Sequence, residues 1–158
     1  MNHLGLRFFR SSAVLPGVII LIGLTCGALS LAVFGPSDPP SPESDAWYVK
    51  GSQLASTSQL DEAVEAFQAA QRADPKKADT YFALGTIWLQ KRDWRRAETS
   101  FASFVKLRPK SAQGWVLLAR SRLELGNTSS AMLAYRKALS LDGSAQEAKD
   151  ALHRFARQ

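Results

Sequence analysis

The chain has little with which to do chemistry. Of 158 residues one is cysteine, Cys26, and two are histidine, His3 and His153. A single thiol excludes an intramolecular disulfide, a cysteine-based zinc finger and a C-x-x-C-H haem attachment. The histidines stand near opposite ends of the sequence, so neither a Ser/His/Asp constellation nor a pair of metal ligands can be built from them. The expectation is a protein that is not an enzyme and has no cofactor. Proline is also scarce and unevenly placed: four of seven fall within the nine residues 35–43, Pro16 precedes them, and only Pro75 and Pro109 follow. The stretches between those breakers are free to be helical.

Acidic residues are outnumbered, 14 against 20 Lys and Arg, which gives a formal charge of +6. That excess suits an anionic partner without naming one. Residues 13–34, AVLPGVIILIGLTCGALSLAVF, carry no charge over 22 positions. As a helix they rise about 33 Å, against a hydrocarbon core of about 30 Å. Arg7 and Arg10 precede the run, and Asp38, Glu43 and Asp45 come after it. The positive-inside rule then keeps residues 1–12 cytoplasmic and sends the remainder across. This predicts an integral, single-pass protein of a bacterial inner membrane, with its C-terminal domain on the periplasmic side. The competing reading is a cleaved signal peptide, because Ala28-Leu29-Ser30 and Ser30-Leu31-Ala32 are small-x-small triplets. The apolar run exceeds the roughly 7 to 15 residues of an ordinary signal core, which favours the uncleaved anchor. Thr25 before Cys26 disfavours a lipoprotein signal. Gly23 and Gly27 fit G-x-x-x-G, a spacing that lets transmembrane helices pack closely.

The proline-rich stretch GPSDPPSPE, residues 35–43, cannot be helical throughout. It reads as a polyproline II spacer of about 28 Å that holds the C-terminal domain close to the membrane.

From Ser44 onward the chain repeats itself. Trp47, Tyr81 and Trp115 recur at intervals of 34 residues, and in the same register Ala63, Ala97 and Ala131 align, as do Phe67, Phe101 and Tyr135. Pro75, Pro109 and Gly143 close the units. This pattern resembles the tetratricopeptide repeat, whose signature W-x2-L-G-x2-Y, A-x3-F and P has that period. The resemblance implies an all-α fold, a right-handed solenoid of three helix pairs at 44–77, 78–111 and 112–145. A capping helix completes it over 146–158, where Ser144 and Glu147 have capping-box spacing. The physical sense is plain: a small residue such as Gly85 or Ala97 lets paired helices approach, and an aromatic such as Phe101 fills the space between repeats. Departures from the signature are Lys50 for Leu, Ala119 for Gly, Arg122 for the second aromatic, Phe104 for a small residue and Gly143 for Pro. By the same register Trp88 fills core, while Trp94 suits either inter-repeat packing or a partner.

The charge is concentrated in the second repeat, with seven basic and three acidic residues, against four and five in the first and four and two in the third. Lys91, Arg92, Arg95 and Arg96 are the candidate anionic contacts. They sit inside a repeat and not on a free recognition helix, a plain solvated face is the alternative, and no nucleic acid is expected because the domain is placed outside the cytoplasm.

The resemblance also implies a concave groove lined by first helices, here Tyr48, Ser52, Phe82, Thr86, Leu89, Val116, Arg120 and Leu123. The family's carboxylate clamp needs Lys and Asn at the positions of Tyr48 and Ser52, and this chain has neither. A groove of aromatic and aliphatic residues with one Arg suits an apolar extended peptide or an amphipathic helix. The expected function is a membrane-anchored scaffold that assembles or stabilises a membrane or periplasmic protein complex, of the type seen in cytochrome c maturation or photosystem assembly. The alternative is a permanent accessory subunit of an electron-transfer or photosynthetic complex.

Overall fold

The computed structural model describes residues 41–157, which form seven helices and no strand. In order they are α1 (Pro42–Ser56), α2 (Leu60–Ala73), α3 (Ala78–Gln90), α4 (Trp94–Leu107), α5 (Ala112–Glu124), α6 (Thr128–Leu141) and α7 (Gln146–Phe155). Each helix packs against the one before it, and α1 also touches α3. The expected three pairs and final helix are therefore present. Among the described residues no helix is long and apolar enough to cross a membrane. The expected span 13–34, its Gly23 and Gly27, and residues 35–40 lie outside the described residues.

The proline-rich spacer ends sooner than its composition predicts. Pro42 and Glu43 already belong to α1, because the Ser41 hydroxyl accepts the Ser44 N–H at 3.1 Å and Pro42 stands in the first turn, where a missing N–H costs nothing. The predicted capping box at Ser144 is not formed either. Ser144 donates both its backbone N–H and its hydroxyl to the Asp142 carboxylate, at 2.8 and 2.6 Å, which holds that carboxyl below the usual carboxylate range. The helix then starts later, at Gln146, with no side-chain cap. A local Asx turn has outcompeted the cap for the same hydroxyl.

Small residues set the spacing within each pair. Ala63, Ala97 and Ala131 are each 0% exposed, and the aromatics Phe67, Phe101 and Tyr135 four residues on are buried with them. Phe67 and Phe101 lie against Gly51 and Gly85, where an added Cβ would come within 2.9 and 2.7 Å of the ring. In the third pair Ala119 occupies that column, also without exposure. Burial pushes the Tyr135 phenol up to about 12, and the nearby Glu147 carboxylate adds to the shift.

The turn within each pair is closed by one residue in the left-handed region: Ser58 (φ 62°), Arg92 (φ 56°) and Gly126 (φ 77°), at the 34-residue period. Between pairs, the signature aromatic ties itself to the end of the preceding repeat. The Tyr81 hydroxyl donates to the Pro75 carbonyl and the Trp115 indole N–H to the Pro109 carbonyl, both at 2.9 Å. A ring with a donor at its edge thus does two jobs, filling space and satisfying a carbonyl that the broken helix leaves unpaired.

Two departures from the signature have structural explanations. Arg122 reaches back to Glu98 on the preceding repeat at 3.1 Å, in a half-buried ion pair. Phe104 is large where Ala70 and Ala138 are small, and the space comes from Gly114 on the next repeat, where a Cβ would lie 2.5 Å from Phe104 Cε1. This swap across the second repeat boundary also sets Phe104 against Phe82, with ring centroids 5.0 Å apart.

The pair should behave as a unit in a double-mutant cycle. Gly114→Ala alone should overpack the boundary and lower stability by about 1 to 3 kcal/mol, and Phe104→Ala alone should leave a cavity costing about 3 to 5 kcal/mol. The double variant should lose clearly less than the sum of the two. Denaturant unfolding checks this, and strict additivity would show that the two side-chain positions do not compete for one space.

Candidate partner-binding surface

The first helices α1, α3 and α5 carry every residue assigned to the groove. Ser52 and Arg120 are exposed, whereas Tyr48, Phe82, Thr86, Leu89 and Leu123 are partly covered. Val116 is only 9% exposed and belongs to the core formed with Ala119, Tyr135 and α7. Two of the aromatics are anchored from beneath. Tyr48 meets the Phe67 ring edge-on at 5.4 Å, with the Lys77 ammonium 4.7 Å above it, and Phe82 is wedged between Phe101 and Phe104. Not every side chain assigned to the groove is therefore free for a partner. Phe82, Tyr48 and Val116 contribute to inter-helix packing, and only the remaining face of Tyr48 and Phe82 is open.

The basic cluster of the second repeat divides in the same way. Lys91 pairs with Asp61 of the first repeat, and the Arg96 guanidinium lies 4.6 Å over the Trp88 ring with Asp93 at 3.3 Å. These two cations stitch repeats and helix ends together. Arg92 and Arg95 are exposed and form no ion pair among the described residues. Trp94, at the start of α4, is half-buried. Trp88 is buried as expected, and Trp47 is half-buried beneath the Lys50 ammonium, 5.0 Å from its ring.

One surface feature was not anticipated by the register. An open cleft of about 530 Å³ lies between the start of α3 and the α4–α5 turn, with Asp79 on one side and Arg108 and Lys110 on the other. Its sequence signal is a broken column: Asp74 and Asp142 occupy equivalent positions 34 residues to either side of Arg108.

A stacked series of helix pairs at a 34-residue period, with small and aromatic residues in fixed columns, is matched by one family model. The model of the tetratricopeptide repeat covers residues 31–78 and 82–150. The chain belongs to the tetratricopeptide repeat family. It is a protein–protein interaction scaffold in that broad sense. No curated protein matches it. Among solved structures it is similar to the first tetratricopeptide domain of Spaghetti (RPAP3), bound to HSP90 peptide SRMEEVD, with a TM-score of 0.69 at 18% identity over 77% of this chain and 97% of that one. It is also similar to the OM64 domain of Arabidopsis (TM-score 0.66, 21% identity, 73% and 95% covered). The TPR2B domain of yeast Sti1, in a complex with pHsp70, gives a TM-score of 0.67 at 16% identity, with 75% and 99% covered. At these identities the likeness is one of fold.

The tetratricopeptide register also makes Arg92 a test of backbone strain. Gly126 already fills the equivalent turn position, so Arg92→Gly should raise stability by about 0.5 to 1 kcal/mol through relief of the left-handed penalty. A lower denaturation midpoint for this variant would show that the Arg92 side chain has a structural role that its exposure conceals.

Proposed function

We propose that this chain is a membrane-anchored scaffold that holds a protein partner against its first helices at the outer face of a bacterial inner membrane. In this reading it assembles or stabilises a membrane or periplasmic complex and does no chemistry itself. The observation that carries the binding reading is the row of half-covered Tyr48, Phe82, Thr86 and Leu89 beside the exposed Ser52 and Arg120. Their packed sides fix each ring, so an incoming segment meets rigid apolar faces and loses little side-chain entropy on binding. One solved structure of the same fold is bound to an HSP90 peptide and another is in a complex with pHsp70, which supports capture of a protein segment as the mode. The ligand here differs in chemistry. Tyr48 and Ser52 replace the cationic and amide groups of the family's carboxylate clamp, and an apolar extended segment or an amphipathic helix is the better fit. The anchor reading rests on the 22 uncharged residues 13–34 and their charge asymmetry.

Photo-crosslinking in intact membranes tests the binding surface. A crosslinker at position 52, 86 or 120 should trap one recurring protein, whereas position 133, on the second helix of the last pair, should not. Ser52→Arg with Arg120→Glu should reduce that adduct about tenfold or more without lowering the melting temperature. Adducts confined to positions 95 and 133 would place the working surface on the second helices.

Mass spectrometry of the mature chain tests the anchor. The N-terminus should be intact in the membrane fraction. A mature start near Leu31 or Val33 would make the domain a secreted soluble one.

A further inference from the structure

The three inter-repeat turns, which begin at Asp74, Arg108 and Asp142, are equivalent in register but not in chemistry. In the first and third, the leading carboxylate accepts the backbone N–H two residues on, Lys76 at 2.9 Å and Ser144 at 2.8 Å. Arg108 has no carboxylate with which to do this. Arg108 is instead among the residues that line the cleft, together with Lys110. Both cations are exposed and form no ion pair among the described residues. The cleft is apolar where it meets the core. Phe104, large where the other repeats have Ala70 and Ala138, is a lining residue that is only 7% exposed, and Leu107 beside it is 37% exposed. Asp79 stands on the opposite wall, exposed and also unpaired among the described residues.

We propose that this cleft is a docking site for a partner segment in which one bulky apolar residue lies next to one acidic residue. The cleft, of about 530 Å³, is open to solvent, so it suits a chain segment laid across it and not an enclosed small ligand. The apolar side chain goes against Phe104 and Leu107, and the carboxylate goes toward Arg108 and Lys110. Asp79 limits the acid count, because a second carboxylate across the cleft would meet a like charge. A segment with an isolated acid therefore fits better than a polyacidic tail. The site depends on the reading of the domain as a scaffold for protein segments, and none of the groove positions lines it.

Trp115 provides a local reporter. Its indole N–H donates to the carbonyl of Pro109, which lines the cleft, so the indole resonance should respond when the cleft fills. The experiment uses the full chain in detergent micelles, labelled with 15N-tryptophan, and a capped peptide Ser-Gly-Phe-Glu-Gly-Ser as the probe. The Trp115 signal should shift saturably while those of Trp47, Trp88 and Trp94 stay in place. Replacing the peptide's Glu by Lys or its Phe by Ala should weaken the effect about tenfold. Arg108→Glu with Lys110→Glu should abolish it, and Asp79→Asn should tighten binding by about twofold to fivefold. A Trp115 signal that does not move, or that moves equally with the Lys peptide, overturns the proposal. If Ser52→Arg with Arg120→Glu removes the shift and the Arg108/Lys110 reversal does not, the peptide lies in the groove. The cleft is then wrong while the groove reading stands.

Discussion

The close approach of an aromatic ring to the backbone of a neighbouring first helix governs this fold. Phe67 and Phe101 sit where a single added carbon on Gly51 or Gly85 would come inside contact distance. Interiors are packed at crystal-like density, so such contacts define a helix separation instead of tolerating a range. Once that separation is fixed, small residues are required at 63, 97 and 131, where the alanines are fully buried in the same helices one turn before the rings. The pairs then stack in a repeating register, and each buries apolar surface that it could not bury alone.

The links between pairs are polar and local. A signature aromatic donates to the carbonyl of the proline that ends the previous repeat, at Tyr81 and at Trp115. The proline stops the helix and leaves a carbonyl in need of a donor, and the ring six residues on supplies it. Two further links use charge, Lys91 to Asp61 and Arg122 to Glu98. Of the seven cations of the second repeat, Lys91 is thus tied to the repeat before it and Arg96 to Trp88 and Asp93 of its own repeat. The charge left for partners is smaller and differently placed than the charge count implies.

Repeat proteins acquire individuality where a column breaks. In this chain the breaks cluster at the second repeat boundary, where Phe104, Arg108 and Gly114 depart from the residues at equivalent positions. Phe104 and Gly114 exchange volume across the boundary, so the fold survives the substitution. Arg108 gives up the turn-closing role of Asp74 and Asp142, and it lines the adjoining cleft. A structural repeat has thus become asymmetric at one place without losing its stacking.

The period, helix count and family were legible in the sequence, because a 34-residue spacing of aromatic, small and breaker residues is a direct consequence of helix geometry and needs no knowledge of distant contacts. The buried alanines were legible for the same reason, whereas Phe101, expected to fill the space between repeats, packs on Gly85 of its own repeat. The state of each side chain within its column was not legible. Phe82 and Val116 were assigned to the groove by register, yet Phe82 is wedged between Phe101 and Phe104 and Val116 is covered in the third-repeat core. Ser144 had the spacing of a cap and instead closed an Asx turn. Lys91 and Arg96 read as free cations until Asp61 and the Trp88 ring were seen beside them. Periodicity determines which helix a residue lies on and which residues share its column. Whether that residue is spent on the fold or left for a partner depends on the side chains that the next repeat places opposite it, and only the stacked structure decides that.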